Sequence, residues 1–83
     1  MTQYLIMCRS LTAAQKSARL LERSGITAVV IKAPQHLTGS GCGYSVALHS
    51  KLREAAALLK KYQMLNGKIF ESVDGGEYTE VRF

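Results

Sequence analysis

Eighty-three residues and a formal charge of +5 describe one small basic domain. That length is too short for a second core or a large closed substrate cavity. Hydrophobic residues make up 47% and charged residues 20%, a globular balance that excludes disorder as the state of the whole chain.

The apolar run Tyr4–Cys8 is far shorter than the roughly 20 residues that cross a bilayer. No charged n-region with a cleavage site opens the chain, so a soluble cytoplasmic domain without membrane contact is expected. Residues 1–68 hold ten Lys/Arg against Glu22 and Glu54, a net of +8. Residues 69–83 hold Arg82 against Glu71, Asp74, Glu77 and Glu80, a net of −3. The basic body suits an anionic small molecule, nucleic acid or an acidic protein, and the acidic tail can pair with that body. Two cysteines, Cys8 and Cys42, are too few for a disulfide scaffold. With only His36 and His49 to add, they form no zinc spacing, and no metal site is expected.

In chain order, residues 3–8 form a short apolar strand. Ser10 or Thr12 caps a helix over about Ala13–Ser24, with Gln15 three residues after Thr12 as in a capping box. Leu11, Ala14, Ala18 and Leu21 supply its apolar stripe, and Gly25 sits where a left-handed C-cap belongs. The β-branched run Thr27–Lys32 reads as a second strand, and Gln35–Gly43 as a glycine-rich loop. Tyr44–His49 alternates as a third strand. Ser50 is placed to cap a second helix over Lys51–Gln63, with Leu52, Ala55, Leu59 and Tyr62 facing the core and Asn66-Gly67 after it. Lys68–Val73 and Glu77–Val81 form a hairpin about Asp74-Gly75-Gly76.

The order is βαββαβ with a C-terminal β-hairpin extension. The expected fold is therefore α+β: a ferredoxin-like two-layer sandwich with a mostly antiparallel sheet, as a single domain over residues 1–83. Strand one is apolar on both faces while helices cover one, which points to a homo-oligomer through the open sheet face.

In this topology the end of strand one and the start of strand three share a sheet edge. That edge gathers Cys8, Arg9, Ser10, Lys32, His36 and Cys42. A helix N-terminus and nearby cations favour a thiolate. Cys42 lies between Gly41 and Gly43, where no neighbouring side chain blocks it and backbone N–H groups can form an anion nest. Such a thiolate can hold a persulfide, a selenide or a soft metal. Cys8 is either a second thiol or a small buried side chain at a strand end.

Other chemistries lack their residues. Gly39-Ser40-Gly41-Cys42-Gly43 is not closed by the Gly-Lys-Ser/Thr of a phosphate loop, and a dinucleotide fingerprint would need glycine at Tyr44. RNA-recognition domains share this topology, but Tyr4 and Tyr44 stand without the basic-aromatic motif, so nucleic acid is not an expected partner. Met7-Cys8-Arg9-Ser10-Leu11 lacks the second cysteine of a copper-chaperone loop. No Ser/His/Asp grouping or carboxylate pair supports hydrolysis.

Several segments resemble a bacterial family of small domains described as selenium/sulfur carrier protein-like. These are Tyr4-Leu5-Ile6, Arg9-Ser10, Ala14-Gln15-Lys16, Leu20 to Ile26, Pro34-Gln35 and Gly41-Cys42-Gly43-Tyr44. The likeness spans about residues 3–70 and leaves the acidic hairpin outside. It implies that Cys42 carries sulfur or selenium covalently, with no other cofactor, between donor and acceptor proteins. Arg9, Ser10, Gly41 and Gly43 would surround the anion, and the protein would act as a carrier rather than a turnover enzyme. The competing expectations are a non-catalytic oligomeric interaction module, or a two-cysteine redox or soft-metal site using Cys8 and Cys42.

Overall fold

The computed structural model describes residues 2–33, 43–65 and 67–81. The expected positions Pro34 to Cys42, His36 and Gly41 among them, and Asn66 lie outside the described residues. The described chain forms β1 (Thr2–Cys8), α1 (Leu11–Arg23), β2 (Val29–Lys32), β3 (Tyr44–Leu48), α2 (Leu52–Lys61), β4 (Ile69–Val73) and β5 (Thr79–Val81). The strands make one antiparallel sheet in the order β2-β3-β1-β4-β5. This is the expected α+β, ferredoxin-like arrangement, extended by β5. Among the described residues no helix is long and apolar enough to cross a membrane.

Both helices earn their place through the same spacing. Ala14, Ser17, Ala18 and Leu21 are the buried stripe of α1, and Leu52, Ala55, Ala56 and Leu59 that of α2. Each set falls at i, i+3, i+4 and i+7, one face of a helix. They pack on Ile6, Cys8, Val46, Leu48 and Ile69, which together form the core. Leu11, expected in the stripe, is instead exposed, because the helix begins at Leu11 and its first turn overhangs the core.

The end of α1 was legible in Gly25. Its φ of 82° is left-handed, the Gly25 N–H donates to Glu22 O at 3.1 Å, and the Ile26 N–H donates to Leu21 O at 2.9 Å. These two bonds make a Schellman ending, with Ile26 and Leu21 both in the core. The end of α2 has the same bonds without the glycine. Gln63 takes φ 58°, its N–H donates to Lys60 O, and the Met64 N–H donates to Leu59 O at 2.7 Å. The helix therefore stops at Lys61, before Asn66-Gly67, and Tyr62 is 55% exposed rather than in the core stripe. Ser50 does not cap α2. The cap position is Lys51, in a left-handed conformation with φ 58° and no side-chain bond.

Gly67 has a different task. A Cβ on it would overlap the backbone carbonyl of Met7, beside the bond from the Met7 N–H to Lys68 O at 2.9 Å. The chain can enter β4 alongside β1 only if that position has no side chain. The hairpin after β4 turns at Asp74 and Gly75, both with positive φ (52° and 77°), as a tight primed turn requires. The Gly76 N–H donates to Val73 O at 3.0 Å. Glu71 then pairs with Thr79, one step later than this turn alone would set, so the returning arm holds an extra residue.

The side of the sheet away from the helices carries Gln3, Leu5 and Met7 of β1, Ser45 and Ala47 of β3, and Phe70 and Ser72 of β4. Tyr78 reaches over this face to Gln3, its hydroxyl 3.4 Å from Gln3 Oε1. Leu5 is completely buried within the single chain. The apolar character of β1 on that face is thus satisfied internally and does not by itself require a second copy. Tyr4 packs on the helix side, against the core, and is not a residue of the open face. Tyr44 also packs there, so neither tyrosine offers a stacking platform on the open face.

The two glycines predict different penalties. Gly25→Ala meets open space and pays only for left-handed backbone, about 1 kcal/mol. Gly67→Ala forces the β1–β4 backbones apart and is expected to cost at least about 2 kcal/mol. Denaturant midpoints of the two variants measure the difference, and equal losses would contradict the close approach at Gly67.

Candidate functional site

Strand β1 ends at Cys8, and the register places Cys8 opposite Tyr44. Tyr44 is in turn opposite Lys32 of β2, so three strands contribute one row at one edge of the sheet. The Ala33 N–H donates to the Gly43 carbonyl, closing that edge one step further out. Residues 34–42 leave from Ala33 and return at Gly43. Their two described ends are therefore tied together beside Cys8. The expected convergence of Cys8, Arg9, Ser10 and Lys32 is present, while His36, Gly41 and Cys42 lie outside the described residues.

Ser10 is the N-cap of α1: its hydroxyl accepts from the Ala13 N–H at 3.1 Å, and its carbonyl accepts from the Ala14 N–H at 3.0 Å. Thr12 lies inside the helix instead of capping it. Capping by Ser10 starts the helix two residues after β1 and turns its N-terminal end toward the edge that carries Cys8 and Gly43. The first turn of α1 holds no acidic side chain, so the positive end of its dipole is not neutralised locally. Arg9, directly before the cap, is exposed, as is Lys32. An anion at this edge meets a helix start and two solvated cations.

Cys8 itself faces inward. It is 9% exposed, belongs to the core cluster, and its thiol donates to Ile6 O at 3.5 Å. This geometry is that of a small core side chain at a strand end. His49 lies just past β3 and is exposed. Among the described residues no three of His, Cys, Asp and Glu gather as a metal cluster.

Ser45, next to Tyr44 on the opposite face, was not singled out from the sequence. It is fully buried, and among the described residues its hydroxyl has no hydrogen-bond partner. Its neighbours by register are Met7 and Ile31, neither of which offers a strong side-chain acceptor. Alternation alone made Ser45 look like an outward residue, so no sequence signal revealed the burial.

A family model described as "Putative Se/S carrier protein-like" matches residues 3–71. The matched span runs from β1 into β4 and includes the whole of the edge just described. Neither the curated proteins nor the solved structures contain a match to the chain.

Two substitutions test the packing of this edge. Cys8→Ser puts a stronger polar group into the apolar core and is expected to lower stability by about 1–3 kcal/mol, more than Cys8→Ala. Ser45→Ala removes an unpartnered buried hydroxyl and is expected to raise stability by up to about 1 kcal/mol. Thermal or urea unfolding reads both. A Ser45→Ala variant that loses stability would show that the hydroxyl is satisfied.

Proposed function

Because the chain belongs to the Se/S carrier protein-like family, we propose that it carries sulfur or selenium on Cys42 as a persulfide or selenopersulfide. The family match over residues 3–71 is the observation that carries this reading. The described geometry supports it in two respects. The flanks of the 34–42 segment are joined through Ala33 and Gly43. They lie at the edge where α1 begins, with Arg9 and Lys32 exposed around it.

The chemistry asks little of so small a domain. The Cys42 thiolate attacks the terminal sulfur or selenium of a donor persulfide or selenopersulfide. The bond between that atom and the donor sulfur breaks, and the donor leaves as a thiolate. Delivery repeats the exchange with an acceptor nucleophile, which takes the outer atom and returns Cys42 to a thiolate. No external oxidant enters, because the transferred atom keeps its oxidation state. Arg9 and the N–H groups at the start of α1 stabilise the anion on Cys42. Gly41 and Gly43 leave room for donor and acceptor thiols to approach. Each event loads or unloads the protein, which is the work of a carrier with protein partners.

Cys8, packed in the core, serves the fold in this reading, and loading does not depend on it. Intact-mass spectrometry of protein purified without reductant tests the proposal. The expected result is an added mass of one sulfur or one selenium atom, lost on reduction, absent from Cys42→Ser and retained in Cys8→Ala. An adduct that survives Cys42→Ser, or disappears in a folded Cys8→Ala, would overturn the assignment.

A further inference from the structure

Two helices packed side by side cover about four strands, because helices lie ~8–10 Å apart and strands ~4.8 Å apart. This sheet has five. The uncovered width falls on the helix side of β4 and β5, where a cleft of about 750 Å³ opens beside α2. Its floor is apolar: Ala56, Leu65, Ile69 and Val81 line it. Its rim is cationic. Arg53 and Lys60 stand one above the other on the exposed flank of α2, and Lys68 lies across from them. Glu80 is the acid at the rim, 4.0 Å from Lys68 Nζ, a solvent-exposed pair of small energetic weight. Neither Arg53 nor Lys60 has a carboxylate within ion-pair reach among the described residues.

We infer that this cleft is the berth for an acidic amphipathic helix of a partner protein, which docks beside α2 as a third helix over β4 and β5. Two observations favour that occupant: the floor offers apolar surface to one face of a helix, and the rim offers cations to its acidic flanks. Ala56 and Ala57 keep the α2 side of the cleft low, so a neighbouring helix can approach closely. Gly67 lies at one end of the cleft and against the Met7 backbone of β1. As the docking surface of a sulfur or selenium donor or acceptor, the cleft rests on the carrier reading. As a helix-binding cleft it does not, and the test separates the two.

The probe is a capped, fluorescein-labelled peptide of about five helical turns, with leucine on one face and glutamate on the other. It is titrated with the full chain. Binding in the micromolar range is expected, weakening as salt rises. The exposed-site double variant Arg53→Glu, Lys60→Glu is expected to weaken it at least about tenfold while keeping the circular dichroism of the parent. If that variant unfolds, Arg53→Gln with Lys60→Gln supplies the same comparison with a smaller expected loss. Amide shifts on binding are expected at Ala57, Lys60, Gly67 and Val81. Cys42→Ser is expected to bind as the parent does, so a failure of chalcogen loading leaves this result standing.

Absence of binding at near-millimolar protein would overturn the inference, as would equal affinity for a leucine–lysine peptide or shifts confined to the opposite face. So would a parent dimer that the double variant splits, since the occupant would then be a second copy.

Discussion

Strand β1 is hydrogen-bonded on both edges and packed on both faces, and the rest of the molecule is arranged around that constraint. On one side it pairs with β3 from Tyr4↔Leu48 to Cys8↔Tyr44, and on the other with β4 from Thr2↔Val73 to Ile6↔Ile69. Adjacent residues Leu5 and Ile6 are both buried, on opposite faces. A slip of one residue would exchange them and move Cys8 out of the core. The register is therefore strongly specified, and with it the place where α1 starts, where Gly43 returns and where Gly67 must pass.

The candidate site follows from that register. Cys8 ends the central strand, Ser10 caps the following helix, and Tyr44 opens the strand paired with Cys8. The edge combines a helix start with the exposed cations Arg9 and Lys32, and a domain of this size has little volume for a closed cavity. Cys8 itself is buried and supports the core.

The cleft beside α2 has a separate origin. It comes from a mismatch between five strands and two helices, created by the acidic hairpin that extends the sheet. The same hairpin sets Glu80 against Lys68 and carries Tyr78 over the far face to Gln3. One short extension thus pairs part of the basic body, covers part of one face and leaves part of the other open. The charge asymmetry along the sequence becomes a spatial one, with Arg53 and Lys60 remaining as an exposed cationic flank.

The sequence by itself determined the element order, three residues of each helical stripe (Ala14, Ala18, Leu21 and Leu52, Ala55, Leu59), the Gly25 ending and the turn at Asp74-Gly75. Each is a local pattern whose energy depends on neighbours a few residues away. It also placed Cys8, Arg9, Ser10 and Lys32 at one edge, because a βαββαβ order leaves few ways to pair the strands. What it left open depends on distant contacts. The left-handed Gln63 and Lys51, the exposed Tyr62 and the inward Tyr4 are decided by where α2 must end and how the sheet faces it. Ser45 reads as an outward residue until the fold buries it. The cleft has no motif at all, since Arg53, Ala57, Gly67 and Val81 become neighbours only through tertiary packing. Only that packing sets how many strands two helices leave uncovered.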